Sequence, residues 1–277
     1  MAARAEEKLV RELIESEGEI SRLVRRRAEG YRWKVRLFRL LLGAGFLISW
    51  ELASGRLIKP FWISRPSQIF IRLWDWITTG FIFPHAIITL EEMLIGFLIG
   101  AVLGIAVGFA LGQKETVAQV LNPYIMAAFA MPKMALAPLF ILWFGIGIES
   151  KIVLVVVIVF FLVFFNTYSG VRDVDRDLIN IARTMGASEF QITQKIVLPS
   201  ALVWIYTGLK LSIPYALIGA VVGEMIAASK GLGFLVQSTS GMFDTTGLFA
   251  SLFVLTAVAV IVNEFCAWSE RHFLRWK

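Results

Sequence analysis

Lys133 and Lys210 each fall near the middle of a long apolar run, where an ammonium group is costly and is kept either for a pathway or for a buried partner. Lys133 lies between Pro132 and Pro138, so its helix is expected to break there and free backbone polar groups that only a cavity or neighbouring protein can satisfy. Two chemistries are open at these positions. Either the cations line a path for an anion such as a sulfonate, nitrate or carboxylate, or they pair with carbonyls or carboxylates and stabilise a gate. Asn166 joins Lys133 and Lys210 as a candidate pathway residue, and Glu224, near the end of another apolar run, is a candidate for an outer gate or a docking surface. The phenylalanines at 160, 161, 164 and 165 are expected to face lipid or the core rather than to cage a ligand.

Other chemistry finds no support in the residues. Cys266 is the single cysteine, and His85 and His272 stand at opposite ends of the apolar region, so no set of metal ligands at usable spacing is expected. No nucleophile, base and orienting group converge, and no GxxxxGK[ST] phosphate loop is present, so ATP hydrolysis by that machinery must lie elsewhere. An enzyme is not expected. The basic cluster Arg25–Arg27 with Arg32, Lys34, Arg36 and Arg39 borders an apolar run, which favours topology and anionic lipid over nucleic acid.

These groups must be held by membrane elements. The chain has 277 residues, 57% of them hydrophobic and 17% charged, with a mean hydropathy of +0.72, a balance that requires a bilayer as solvent. A bilayer core of about 30 Å needs about 20 mostly apolar residues per helix. Six segments satisfy this, at roughly 37–54, 87–112, 118–144, 151–170, 201–226 and 248–268. The expectation is an all-α membrane protein with an N-terminal arm over 1–34 and one transmembrane domain over 35–277. The charged arm, with a weak stripe of Leu9, Leu13, Ile20 and Leu23, is not a cleavable signal peptide. Lys and Arg concentrate on the arm, the 171–200 loop and the C-terminal Arg271, Arg275 and Lys277, with Lys151 counted on the opposite side; both termini are therefore expected in the cytoplasm. Gln68–Trp76 reads as an amphipathic interfacial helix. Gly96, Gly100, Gly104, Gly108 and Gly112 form a small-residue stripe that predicts close packing of the second span against another helix.

The loop over 172–199 is the most specific feature. It reads as two short helices: Leu178, Ile179, Ile181, Ala182 and Met185 mark the first, and Phe190, Ile192, Ile196 and Val197 the second. Gly186 supplies the break between them, Ser188 and Gln191 form a capping-box pattern, and Pro199 marks the return to the membrane. Asn180-Ile181-Ala182, three residues, Gly186, nine residues and Ile196-Val197-Leu198-Pro199 resemble the cytoplasmic signature of ABC importer permeases, which runs Glu-Ala-Ala, three residues, Gly, nine residues and Ile-x-Leu-Pro. Asn180 stands where that signature has glutamate, and Ile181 where it has alanine. Met131-Pro132-Lys133-Met134-Ala135, Trp143-Phe144-Gly145-Ile146-Gly147, Gly223-Glu224-Met225 and Gly231-Leu232-Gly233 are similar to the nitrate/sulfonate/taurine branch, from about Phe61 to the C-terminus.

The resemblance implies a type I ABC importer permease fold in the bacterial inner membrane, with coupling helices between the fourth and fifth spans. Asn180, Ala182, Gly186, Ala187, Glu189 and Phe190 are then expected at the contact with a separate ATPase. It also implies two ATPase copies that bind ATP and Mg, a second permease copy, a periplasmic or lipid-anchored solute-binding protein, and no cofactor in this chain. The alternative is a secondary transporter driven by an ion gradient, a class that often shows internal repeats; no convincing repeat is found.

Overall fold

The computed structural model describes residues 33–273, with side chains as far as Cys266. The expected arm over 1–34 lies outside these residues except for its last two positions, as do the side chains of Arg271, Arg275 and Lys277. The chain divides into two units, 1–67 and 68–277. In the first, helix α1 over 33–53 carries the apolar run expected as the first span. The loop that follows folds back on it: Trp50 Nε1 donates to the Ser64 carbonyl at 2.9 Å, and the buried Ser54 hydroxyl to the Ile63 carbonyl at 2.6 Å.

The second unit is a helical bundle. Its elements, in chain order, are α2 (Pro66–Thr78, which begins at the unit boundary), α3 (Ile82–Gln113), α4 (Glu115–Ala130), α5 (Ala137–Phe144), α6 (Ile148–Arg172), α7 (Arg176–Thr184), α8 (Glu189–Ile192), α9 (Leu198–Ala227), α10 (Leu232–Gly241) and α11 (Thr245–Phe273). A 3-10 turn, Lys133–Leu136, joins α4 to α5, and a π-helical turn, Thr193–Val197, joins α8 to α9. No helix-length strand pairing competes with this, and the described residues contain no named strand.

Four stretches are long and apolar enough to cross a bilayer: Ile82–Gln113, Ile148–Arg172, Glu189–Ala227 and Thr245–Cys266. A fifth is made by α4 and the turn with α5 if the pair, bent by 78°, counts as one span. That bend falls where the prolines predict it. Met131 and Pro132 are extended, and Pro138 sits in the first turn of α5, where its missing N–H costs no helix bond.

The glycine stripe of α3 explains the centre of the bundle. A Cβ on Gly96, Gly100, Gly104, Gly108 or Gly112 would come within 2.5 to 3.0 Å of Val155, the Val156 carbonyl, the Phe160 carbonyl, the Phe164 carbonyl or Val171 of α6. Valines 155, 159 and 163 and Thr167 stand opposite at the same four-residue spacing, all at 0% exposure. Two backbones are thus pressed together along most of both helices, which dispersion rewards in a solvent as apolar as lipid. The same device joins α6 to α9, where a Cβ on Gly170 would meet Trp204 and one on Gly208 would meet Asn166.

Candidate functional site

The expected loop forms an elbow at one end of α6 and α9. Asp175 caps α7 by accepting the Asp177 N–H at 2.8 Å. The break after α7 is made by Gly186, whose φ of +85° lies in the left-handed region that other residues enter at a cost. Ser188 then starts α8 with a complete capping box, its hydroxyl accepting the Gln191 N–H at 3.3 Å and its own N–H donating to Gln191 Oε1 at 2.8 Å. The second short helix continues through the π-helical turn into α9, and Pro199 stands in the first turn of α9, just past that π-helical turn.

The elbow has a buried side and an open side. Val174, Ile192 and Val197 are buried with Ala201 and Ile205, and Ile179, Ala182 and Ala187 pack against them. Leu178, Ile181, Met185 and Phe190 point away, with Met185 83% and Phe190 75% exposed. Gly186, Asn180 and Glu189 are also exposed. Glu189 is engaged within the elbow: Arg183 Nε and Nη2 donate to its two carboxylate oxygens at 2.7 and 3.0 Å, a fork that ties α7 to α8 across Gly186. Glu115 at the start of α4 receives Arg172 at 3.0 Å and Arg176 at 3.4 Å, so the elbow is also tethered to the α3–α4 turn.

The candidate pathway residues are not gathered in one place. Lys133 is half-buried, and its Nζ donates to the Phe129 carbonyl at 2.5 Å and lies 4.4 and 4.9 Å from the Phe129 and Phe161 ring centres. The break in the α4–α5 span thus frees a carbonyl that the lysine satisfies, and two aromatic faces complete its surroundings. Phe161, expected only to pack or face lipid, takes part in holding this cation. A cavity of about 420 Å³ opens beside it, lined by Phe129, Lys133, Ile158, Phe161, Leu162 and Tyr215 among others. Neither Lys210 nor Asn166 lines it. Lys210 is exposed on α9; Asn166 donates to the Leu162 carbonyl at 2.8 Å and packs against Gly208.

Glu224 is buried, at 1% exposure, at the end of α9 away from the elbow. Oε1 accepts the Thr89 hydroxyl and Oε2 the Gly233 N–H, both at 2.6 Å. Beside it lies an ion pair that sequence reasoning missed: Lys151 Nζ is 3.4 Å from Glu92 Oε1, with side chains 8% and 1% exposed. Lys151, counted with the polar loops, is instead inside the bundle at the first turn of α6. The available signal was an acid well inside one expected span and a lysine at the head of another.

Residues 96–275 match the family described as binding-protein-dependent transport system inner membrane component. Among curated relatives, the formylaminopyrimidine transport permease protein ThiX of Halalkalibacterium halodurans is 33% identical, over 87% of this chain and 94% of its own. The riboflavin transport system permease protein RibX of Chloroflexus aurantiacus is 36% identical, over 83% and 87%. The taurine transport system permease protein TauC of Escherichia coli is 30% identical, over 82% and 84%. Among solved structures, a chain of the MetNI methionine ABC transporter in an inward-facing conformation shares the fold at a TM-score of 0.61 and 20% identity, over 70% of this chain and 97% of that one. The elbow, the bent span and the multi-pass bundle therefore belong to a transport protein, and the chain is a member of the family of inner membrane components of binding-protein-dependent transport systems.

Proposed function

We propose that the chain is the membrane-spanning permease of an ATP-driven importer that passes a small solute from a binding protein to the cytoplasm by alternating access. The elbow is the observation that carries this reading. Leu178, Ile181, Met185 and Phe190 offer an uncovered apolar surface on two short helices, the kind of surface that seats in a groove of a partner. α8 runs directly into α9, so motion imposed on the elbow is carried along a membrane-length helix.

Asn180, Gly186 and Phe190, on the open side, are assigned to the ATPase contact, Ala182 and Ala187 to the packing that supports it from beneath, and Glu189 to shaping it through Arg183. ATP and Mg²⁺ belong to two copies of that ATPase. A second permease copy completes the pathway, and a periplasmic or lipid-anchored binding protein delivers the solute. α1 is the first of six spans, and both termini are cytoplasmic. The relatives named for taurine, formylaminopyrimidine and riboflavin transport support a small organic solute, and Lys133 and Lys210 favour one that carries negative charge.

Reconstitution tests the reading. Vesicles holding the chain alone should not accumulate solute, and vesicles holding it with its ATPase and loaded binding protein should do so only with ATP. Uptake by the isolated chain under an imposed ion gradient would make it a secondary transporter instead.

A further inference from the structure

We propose that Glu224 is a positioning residue of the outer gate, whose carboxylate clamps α10 onto α9 and α3 so that the three move as one body. The proposal rests on the importer reading for its orientation and for the word gate. Its physical content is the way α10 begins. The first N–H groups of any helix lack intrahelical acceptors and present partial positive charge. Here three successive N–H groups each find a buried side chain: Gly231 donates to His85 Nδ1 at 3.0 Å, Leu232 to Thr89 Oγ1 at 2.9 Å and Gly233 to Glu224 Oε2 at 2.6 Å. Thr89 in turn donates to Glu224 Oε1, so one hydroxyl links α3, α9 and α10.

The glycines of the Gly-Leu-Gly segment exist to admit the carboxylate. Gly231 has a φ of +118°, and a Cβ there would fall 2.2 Å from Glu224 Oε1. A Cβ on Gly233 would fall 2.3 Å from the Val221 carbonyl and 2.9 Å from Glu224 Cβ. One helical position earlier, Gly223 leaves room for the stem of Lys151, which brings the Lys151–Glu92 pair into the same corner of α3, α6 and α9. A carboxylate buried at this depth is tolerated while donors surround it and becomes costly when they leave. α10 is therefore either seated or displaced with Glu224 hydrated, with no stable half-way position. Because α9 is continuous with α8, the clamp fixes the outer helix to the far end of the rod that starts at the elbow.

The test uses the complete transporter, with ATPase and binding protein, in vesicles. Spin labels at Gln237 on α10 and Phe83 on α3, both exposed, report the seating of α10. Wild type and Thr89→Ser should give one narrow distance distribution. Glu224→Gln and Thr89→Val should broaden it and should cut the ratio of binding-protein-stimulated to unstimulated ATPase by about tenfold, within the usual range of coupling between sites. The double variant should cost less than the sum of the two single ones, since Thr89 and Glu224 share one hydrogen bond. A narrow, wild-type distribution together with a wild-type stimulation ratio in Glu224→Gln would overturn the proposal. If that variant does not assemble, Thr89→Val against Thr89→Ser decides in the same way. Failure of the wild-type assembly to import would count against the importer reading, while the label distances would still decide the clamp.

Discussion

Lys151 and Glu92 show what a residue costs when its partner is removed. Both side chains are buried, and the ammonium of Lys151 stands 3.4 Å from Glu92 Oε1. Lys151→Met should therefore leave an uncompensated charge and destabilise the purified protein by about 3–5 kcal/mol. Adding Glu92→Leu to Lys151→Met removes that charge and should recover most of the loss, as read by thermal denaturation in detergent. Recovery would fail if Glu92 answered to some other cation. Lys133 presents the opposite case, an ammonium already held by a carbonyl and two rings. Lys133→Met should open the bend of the α4–α5 span as well as lower uptake, whereas a residue that met only the solute would lower uptake and leave limited proteolysis at that bend unchanged.

Two elements make specific demands. At the elbow, a Cβ on Gly186 would meet nothing within 4 Å, so only the backbone conformation resists substitution. Gly186→Val should cost about 1–2 kcal/mol of local strain, leave membrane insertion intact and uncouple ATP hydrolysis from uptake. Phe190→Glu leaves the fold of the elbow alone, because the ring is exposed, and should weaken ATPase capture by about 2 kcal/mol or more if the ring is a buried anchor in the complex. Co-purification of the ATPase with the His-tagged permease measures this directly. Between α3 and α6 the requirement is steric. Gly104→Leu would drive a side chain into the Phe160 carbonyl and Val163, since even a Cβ would stand 2.9 Å from both. The variant should be degraded or aggregate, with a cost of at least about 1–3 kcal/mol from overpacking.

At the scale of the whole molecule, the apolar surface left outside the bundle is large. Leu40, Leu42, Ile71, Leu142, Val102 and Ile261 are among many big side chains more than 60% exposed, a distribution that suits lipid and partner subunits as the surroundings and would aggregate in water. The purified chain should consequently stay monodisperse only in detergent or lipid, which size-exclusion chromatography checks. Four stretches meet length and hydropathy together, and the bent pair makes a fifth where it counts as one span.

Much of this was legible in the order of residues. Long apolar runs dictate membrane helices because no other backbone arrangement satisfies itself in lipid. Pro132 and Pro138 dictate the bend, the glycine stripe dictates a close helix contact, and Ser188 with Gln191 dictates the start of α8, since each acts through neighbours in the chain. What the order of residues did not reveal was which distant groups meet. The Lys151–Glu92 pair and the seating of α10 by Thr89 and Glu224 join helices far apart in sequence, and the same packing keeps Asn166 and Lys210 out of the Lys133 cavity. Such contacts depend on the register in which α3, α6 and α9 pack, and that register is a property of interlocking surfaces, so it exists only once the helices have come together.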